Sequence, residues 1–441
     1  MNALRIDRPP SVVLFAGFVS LLARLKARYL RILSPARLPA LPAVPAKRRL
    51  AALVGALLLS AWPAFAQLDP GTLQTVLDAS RAKTSATGAS AAIVRNGEVL
   101  WQGQSGVIAP GSAVPVTADT LFVYASASKM VTAAMTSRLA EQGKLGLDDK
   151  IGLYLPADVP GASSVTVRQL LQQTSSYPDI YRSNNAAAAI ARLQQVNNPV
   201  TRADLINFIE APTGTPGVQH AYSNTNYILL GEVIERASGK TFTQVYQDEI
   251  ATPLGLTRAF VTPQPRGDFA QSVDSQFDAS APINYFNNTE GLPTTLYGPA
   301  FGDGPVAGTA VEGALFLDAL ARGKLLGPEA LAQTFNFDPV SGYGFGIYGT
   351  QVDGKLVLDH TGEWAGYTST LYYDENRDLT IMTLANSNQG FPAGVIFQDL
   401  NGAVSVIPEP STYTALAAAA ALGVAVGRRR RNGGQRSGLS A

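Results

Sequence analysis

No cysteine occurs anywhere in the 441 residues. Disulfides, thiolate metal sites and a cysteine nucleophile are therefore excluded. Histidine is almost as scarce, with His220 and His360 the only two. A multi-histidine metal centre cannot be assembled from them, so neither a metal nor another cofactor is expected. Charge is also thin. Charged residues make up 15% of the chain and the net charge is +1, which leaves no concentrated basic face for nucleic acid. Two apolar runs stand out, 50–62 and 413–427. Both are short of the ~20 residues a stable membrane-spanning helix needs.

What is present divides the chain in three. Residues 1–66 read as a targeting segment: Lys47-Arg48-Arg49 is a basic patch, 50–62 an apolar core, and Ala64-Phe65-Ala66 a small-x-small cleavage site. The mature chain is then expected to start at Gln67, the alternative being an anchor that is never cut. Residues 1–46 are long for a leader, and one hypothesis is that translation begins near Val44. Residues 67–407 form the globular part. Residues 408–441 are a distinct tail in which Pro408-Glu409-Pro410 precedes the second apolar run and the cluster Arg428 to Arg431. Basic residues beyond an apolar run read as the cytoplasmic side of a membrane stop.

Within the globular part, the spacing of apolar residues predicts a helix over 73–83. Strands are predicted at 91–94 and 99–101, joined at Asn96-Gly97, a strong hairpin signal. Helices follow at 130–139 and 165–173, and 180–275 is rich in them. Residues 262–310 are irregular, and such a long stretch inside a domain is usually functional. A helix over 311–320 leads to four strands at 344–348, 356–360, 367–373 and 379–384, then a closing helix at 395–400. A hairpin, a helical insert and a return to strands predict an α+β fold: an antiparallel sheet flanked by helices, with a mostly helical insert.

The chemistry centres on residues 121–130, where an apolar run ends at Ser126 and Lys129 follows. Positions i and i+3 share a helix face, so a lysine amine can reach the serine hydroxyl. A serine needs a base to become a nucleophile, and a lysine can serve only when neutral, which burial or a nearby cation favours. Ser80-Arg81-Ala82-Lys83 has the same spacing but reads as a solvated helix face. Tyr222-Ser223-Asn224 sits at the mouth of a helix predicted from about Asn226. Its decoy, Tyr285-Phe286-Asn287, lies in the irregular stretch. His360-Thr361-Gly362 closes a predicted strand and occurs once.

In this order the three motifs resemble those of the penicillin-recognising serine hydrolases, the family of D-alanyl-D-alanine carboxypeptidases, class C β-lactamases and related esterases. The flanks Leu170 to Ser176, Tyr227 to Glu235 and Pro253-Leu254-Gly255-Leu256 are similar to family segments, and the resemblance covers about residues 70–400. It implies a β-lactamase/transpeptidase-like fold and an acyl-enzyme at Ser126. Lys129 would take or relay the serine proton, and Tyr222 would shuttle a proton to the leaving group. Asn224 would bind a substrate carbonyl and position Lys129. His360, Thr361 and Gly362 would line the strand along which substrate lies, and the backbone N–H groups of Ser126 and Glu363 would form the oxyanion hole. His-Thr-Gly is more similar to a carboxypeptidase or an esterase-like relative than to a β-lactamase, which carries Lys-Thr-Gly. At neutral pH a histidine is only partly charged, so binding of a substrate carboxylate is expected to weaken or to vary with pH. A Glu363 side chain facing in would repel such a substrate.

The expected activity is hydrolysis of D-amino-acid peptides, β-lactams or small esters, most like a D-alanyl-D-alanine carboxypeptidase. The alternatives are a class C-like β-lactamase, an esterase, or a non-catalytic surface protein on the same fold. The tail is similar to the PEP-CTERM sorting signal of exopolysaccharide-producing Gram-negative bacteria. That similarity implies export across the inner membrane, transient membrane insertion through leader and tail helices, and processing by an exosortase-type enzyme. The chain would then rest in the periplasm, on the cell surface or in the extracellular matrix.

Overall fold

A computed structural model describes residues 69–157, 159–193, 202–261, 269–272, 302–364 and 366–405. The predicted leader, tail and Tyr285-Phe286-Asn287 lie outside them. Among the described residues no helix is long and apolar enough to cross a membrane.

The chain enters through helix α1 (Pro70–Ala82), which Asp69 caps by accepting the Thr72 N–H, with Pro70 in the first turn. Strands β1 (Gly88–Arg95) and β2 (Glu98–Gly106) form the predicted hairpin. Asn96 and Gly97 both take positive φ, 49° and 79°, as a tight two-residue hairpin turn requires. The far end of the chain supplies β6 (Tyr348–Val352), β7 (Lys355–Trp364), β8 (Tyr367–Asp374) and β9 (Leu379–Ala385). Together they make one antiparallel sheet in the order β2-β1-β9-β8-β7-β6. The first and last strands in sequence thus share one sheet, and the residues between them are inserted.

Both faces of the central strands are covered, so β1 and β9 are apolar or small almost throughout. Successive side chains alternate between faces. Ala91, Ile93 and Ile381 pack with Leu73 and Leu77 of α1 and with Ile396 and Leu400 of α5 (Pro392–Ser405). Ala92, Val94 and Met382 pack on the opposite side with Leu317 and Leu320 of α4 (Ala310–Ala321). In the insert, α2 (Lys129–Glu141) packs on α3 (Asn224–Ser238), and ten of the thirteen residues of α2 are buried. That explains why no amphipathic stripe marks α2. A second small sheet joins β3 (Phe122–Val123), β5 (Val306–Gly308) and β4 (Phe260–Val261).

Two expectations need correction. The strand predicted over 344–348 begins only at Tyr348, because Gly346 takes a φ of 71° and its backbone lies against α2. A Cβ there would sit 2.5 Å from the Lys129 carbonyl oxygen. Ser80 and Lys83 are not a solvated pair either. Ser80 is buried and bonds Asp399 of α5, and Lys83 pairs with the same carboxylate at 3.0 Å. This copy of the spacing ties the first helix to the last.

Candidate active site

Ser126 sits on a single 3-10 turn, Ala125–Ser128, between β3 and α2. Both flanks pin the turn. The Tyr124 N–H donates to Val306 O at 2.9 Å, and the Val306 N–H donates to Ser128 Oγ at 3.0 Å. From the main sheet, Ser369 Oγ donates to Tyr124 O at 2.6 Å. Ala125 takes a φ of 51°, uncommon for a residue with a Cβ. Backbone strain of this kind persists only where its surroundings enforce it, and it clusters at functional sites.

Lys129, the first residue of α2, is fully buried. Its Nζ lies 3.1 Å from Ser126 Oγ, 2.7 Å from Asn224 Oδ1 and 2.7 Å from the backbone oxygen of Asp303. Asn224 opens α3, not an earlier residue of that helix's approach, so the helix starts two residues sooner than predicted. Its Nδ2 faces the Asp179 carboxylate at 3.2 Å and 3.3 Å. A carboxylate only accepts, so Nδ2 must point to it and Oδ1 to the lysine. Two of the three groups around Nζ, Asn224 Oδ1 and Asp303 O, are therefore acceptors only. A neutral amine would give its two protons to them and direct its lone pair at the Ser126 hydroxyl.

Tyr222 closes the other side, its ring face 5.1 Å from Lys129 Nζ. It stands just ahead of α3, where buried Gln173 holds the motif from behind. Gln173 Oε1 accepts from Ser223 N and Asn226 Nδ2, and its backbone oxygen accepts from Ala221 N.

The third motif lies on β7. Strand β6 pairs with β7 only as far as Asp359, opposite Tyr348, so among the described strands none pairs with that side of β7 beyond Asp359. Gly362 touches the nucleophile's turn: a Cβ there would lie 2.1 Å from Tyr124 O and 3.0 Å from Ser126 N. Only glycine lets the strand come this near. Thr361 and Glu363 are exposed, alternating with buried His360 and Gly362.

His360 differs from expectation. It is 2% exposed and its ring packs among Tyr222, Tyr343 and Tyr348, with centroids 5.6–6.3 Å away. Nδ1 lies 2.6 Å from the Thr361 carbonyl oxygen, so Nδ1 carries the proton and Nε2 is left as an acceptor. Burial, reinforced by Lys129, pushes its pKa down to about 3. The ring is neutral at any physiological pH, not partly charged, and is turned into the protein.

The structure thus brings Ser126, Lys129, Tyr222, Asn224, His360 and Gly362 to one place, and leaves Thr361 and Glu363 exposed on the adjoining strand. Sequence reasoning missed Asp179, Tyr181 and Asp303. Asp303 lies in the stretch read only as irregular. Its carboxyl accepts from Tyr181 Oη at 3.2 Å, and burial pushes its pKa up to about 6 against the pull of Lys129. The Tyr181 ring lies against Trp364 at the end of β7, with centroids 4.9 Å apart and planes tilted by 35°.

Comparisons with known proteins fit this geometry. A family model described as Beta-lactamase matches residues 73–398, and one described as PEP-CTERM protein-sorting motif matches residues 406–431. Penicillin-binding protein 4* of Bacillus subtilis is 28% identical over 340 residues, 72% of each chain. D-alanyl-D-alanine-carboxypeptidase/endopeptidase AmpH of Escherichia coli is 30% identical over 192 residues, 41% of this chain and 47% of that protein. Among solved structures, D-amino acid amidase from Ochrobactrum anthropi SV3, complexed with L-phenylalanine amide, is 25% identical. It superposes with a TM-score of 0.63 over 76% of this chain and 98% of its own. A D-stereospecific amidohydrolase from a Streptomyces species shares the fold at 24% identity, with a TM-score of 0.61 over 76% and 99%.

Proposed function

Because this chain belongs to the beta-lactamase family of serine hydrolases, we propose that it is an exported hydrolase that forms an acyl-enzyme at Ser126 on D-amino-acid peptides or amides. The observation that carries the reading is the setting of Lys129, whose amine has two fixed acceptors and the Ser126 hydroxyl as its third neighbour. Ser126 Oγ attacks the acyl carbonyl as Lys129 takes its proton. The backbone N–H groups of Ser126 and Glu363 receive the oxyanion, each worth about 3 kcal/mol by analogy with other hydrolases. Tyr222 passes a proton to the leaving amine, and a water molecule then releases the acyl group by the reverse relay.

The choice among substrates follows from charge. With His360 neutral, the third motif offers no cation. Among the described residues Lys129 is the one basic side chain hydrogen-bonded into this cluster, and Asn224 Oδ1 and Asp303 O engage its protons. A free C-terminal carboxylate therefore gains little here, and an internal peptide bond, an amide or an ester is favoured over a carboxypeptidase substrate. The similar proteins named for D-amino acid amidase and for carboxypeptidase/endopeptidase activity support this direction. The sorting motif supports export from a Gram-negative cell, with residues 1–66 and 408–441 acting as leader and exosortase-processed tail around a hydrolase domain at 67–407.

The test is intact-mass spectrometry of the purified protein and its Ser126→Ala variant. They are incubated with benzylpenicillin, a D-amino acid amide, and a D-alanyl-D-alanine peptide with a free or an amidated C-terminus. We expect Ser126-dependent turnover of the amide and the amidated peptide, at least ~10-fold faster than of the free acid, a loss of discrimination typical of one unpaired charge. A lasting penicillin adduct with preference for the free acid would point to a carboxypeptidase, and rapid penicillin consumption to a β-lactamase. Inertness toward all four would leave a binding protein.

A further inference from the structure

The strand that carries the third motif runs past the nucleophile. Successive side chains of a strand alternate between faces, so His360, Gly362 and Trp364 of β7 share one. His360 packs against the Tyr222 ring, and Gly362 touches Ser126 N. Trp364 lies two residues further on, about 7 Å along the strand. Tyr222 serves the leaving amine, so the leaving group lies toward His360 and the acyl group toward Trp364. Trp364 is half-buried, and so is Tyr181, the ring beside it. Both border the main core and keep part of their surface outside it. Tyr181 is held at both ends. Its N–H donates to Asp179 Oδ1 at 3.2 Å, and its hydroxyl donates to Asp303 Oδ2 at 3.2 Å. Asp179 also holds Asn224, and the Asp303 backbone oxygen holds Lys129. A ring fixed in this way has little freedom left to lose when a ligand settles on it.

We propose that Tyr181 and Trp364 form the acyl-side subsite and take a large apolar or aromatic D-side chain, with the Asp303 carboxyl as the positioning residue that holds Tyr181 in place. This rests on the acyl-enzyme reading above and names the substrate side chain for it. Aromatic rings attract one another in tilted and edge-on contacts at centroid distances of about 4.5–7 Å, so a ring on the substrate can engage both walls. The methyl group of a D-alanyl substrate covers little of either and gains least. Asp303 does two jobs with different atoms. Its backbone oxygen fixes the base, and its carboxyl fixes the wall. A side-chain change at this position therefore reaches specificity while the acceptor for Lys129 stays.

The full-length protein is assayed with D-alanine amide, D-leucine amide and D-phenylalanine amide. Its kcat/KM should rise in that order, by about 10- to 100-fold from first to last, the range an apolar pocket gives for added bulk. Tyr181→Ala and Trp364→Ala should bring that ratio toward unity, chiefly by raising KM for D-phenylalanine amide. Asp303→Ala should lose part of the ratio, and Asp303→Asn, which keeps an acceptor for the hydroxyl, should restore it. A merely structural role would lower kcat/KM for all three amides together. Binding gives a readout that needs no turnover. Of the three tryptophans, Trp101 is buried and Trp62 lies in the expected leader. Titrating Ser126→Ala with D-phenylalanine amide should change tryptophan emission, and the double variant Ser126→Ala/Trp364→Phe should not respond. The acyl-enzyme reading fails separately, if Ser126→Ala leaves hydrolysis intact. Faster turnover of D-alanine amide, a ratio unmoved by Trp364→Ala, or an emission change that survives Trp364→Phe would overturn the proposal.

Discussion

Two titrating side chains next to Lys129 pull stability in opposite directions. Asp303 has its carboxyl raised to about 6 by burial, so its folded form holds a proton that an unfolded aspartate, at about 3.9, has lost. Its contribution is fully present below about 4 and disappears as pH rises through 6. Asp303→Asn keeps an acceptor for Tyr181 and leaves the backbone carbonyl on Lys129. It should therefore stabilise the protein above pH 7 by roughly 1 kcal/mol, a figure discounted for partial solvent screening, and do nothing at pH 4. Urea midpoints at the two pH values check this, and an equal gain at both would show that Asp303 does not titrate between them. His360 has the other sign. Its pKa is depressed to about 3, so its contribution is whole above about 6.5 and is lost as pH falls toward 3. Between the two values the folded site keeps Asp303 protonated and His360 neutral.

The reacting groups are held by the meeting of one turn and one strand. β7 approaches the Ala125–Ser128 turn so closely that Gly362 has no room for a side chain. Gly362→Ala must push Tyr124 and Ser126 back or tear β7 from β8. We expect a loss of about 2 kcal/mol from overpacking and at least a 100-fold fall in acylation rate, since small misplacements of reacting atoms cost that much. Thr361→Ala, on an exposed neighbour, should cost under 0.5 kcal/mol. Thermal melts and a stopped-flow acylation assay distinguish the two. This meeting also shows what could be read in advance. The serine–lysine spacing, the Asn96-Gly97 hairpin and the β8 and β9 patterns are local, and residues a few positions apart express them. Asp303 reaches Lys129 from 174 positions away in sequence number, and Asp179 reaches Asn224 from 45 positions away, and no local pattern marks them. The strand predicted over 344–348 failed for a related reason. Its alternation was real, but its glycines serve close approaches that only the folded chain contains, Gly346 to α2 and Gly344 to Thr334 and Phe337.

At the scale of the molecule, the sheet is closed by the two ends of the hydrolase segment. β1 pairs with β9, and α1 packs on α5 across the Asp399 pair with Ser80 and Lys83. Leu400, Ile396 and Val404 of α5 are buried with Leu73 and Leu77 of α1. Helix α5 ends at Ser405, and the sorting motif is matched from residue 406. A processing enzyme that cuts in that motif would remove none of the residues that seal this core. A chain ending at Ser405 should therefore melt within about 2 °C of the full-length protein, a shift below that of a typical 1 kcal/mol change. A chain ending at Phe391 loses a whole helix from a shared core and should not fold cooperatively. Leu400→Ala grades the effect between these extremes, since truncating a buried leucine costs about 2–5 kcal/mol. Differential scanning calorimetry on the three variants decides the matter. Equal melting of the Phe391 and Ser405 chains would mean that α5 belongs with the tail. Cooperative loss in the shorter chain alone would mean that the hydrolase is complete before the sorting signal begins, so that processing can release it fully folded.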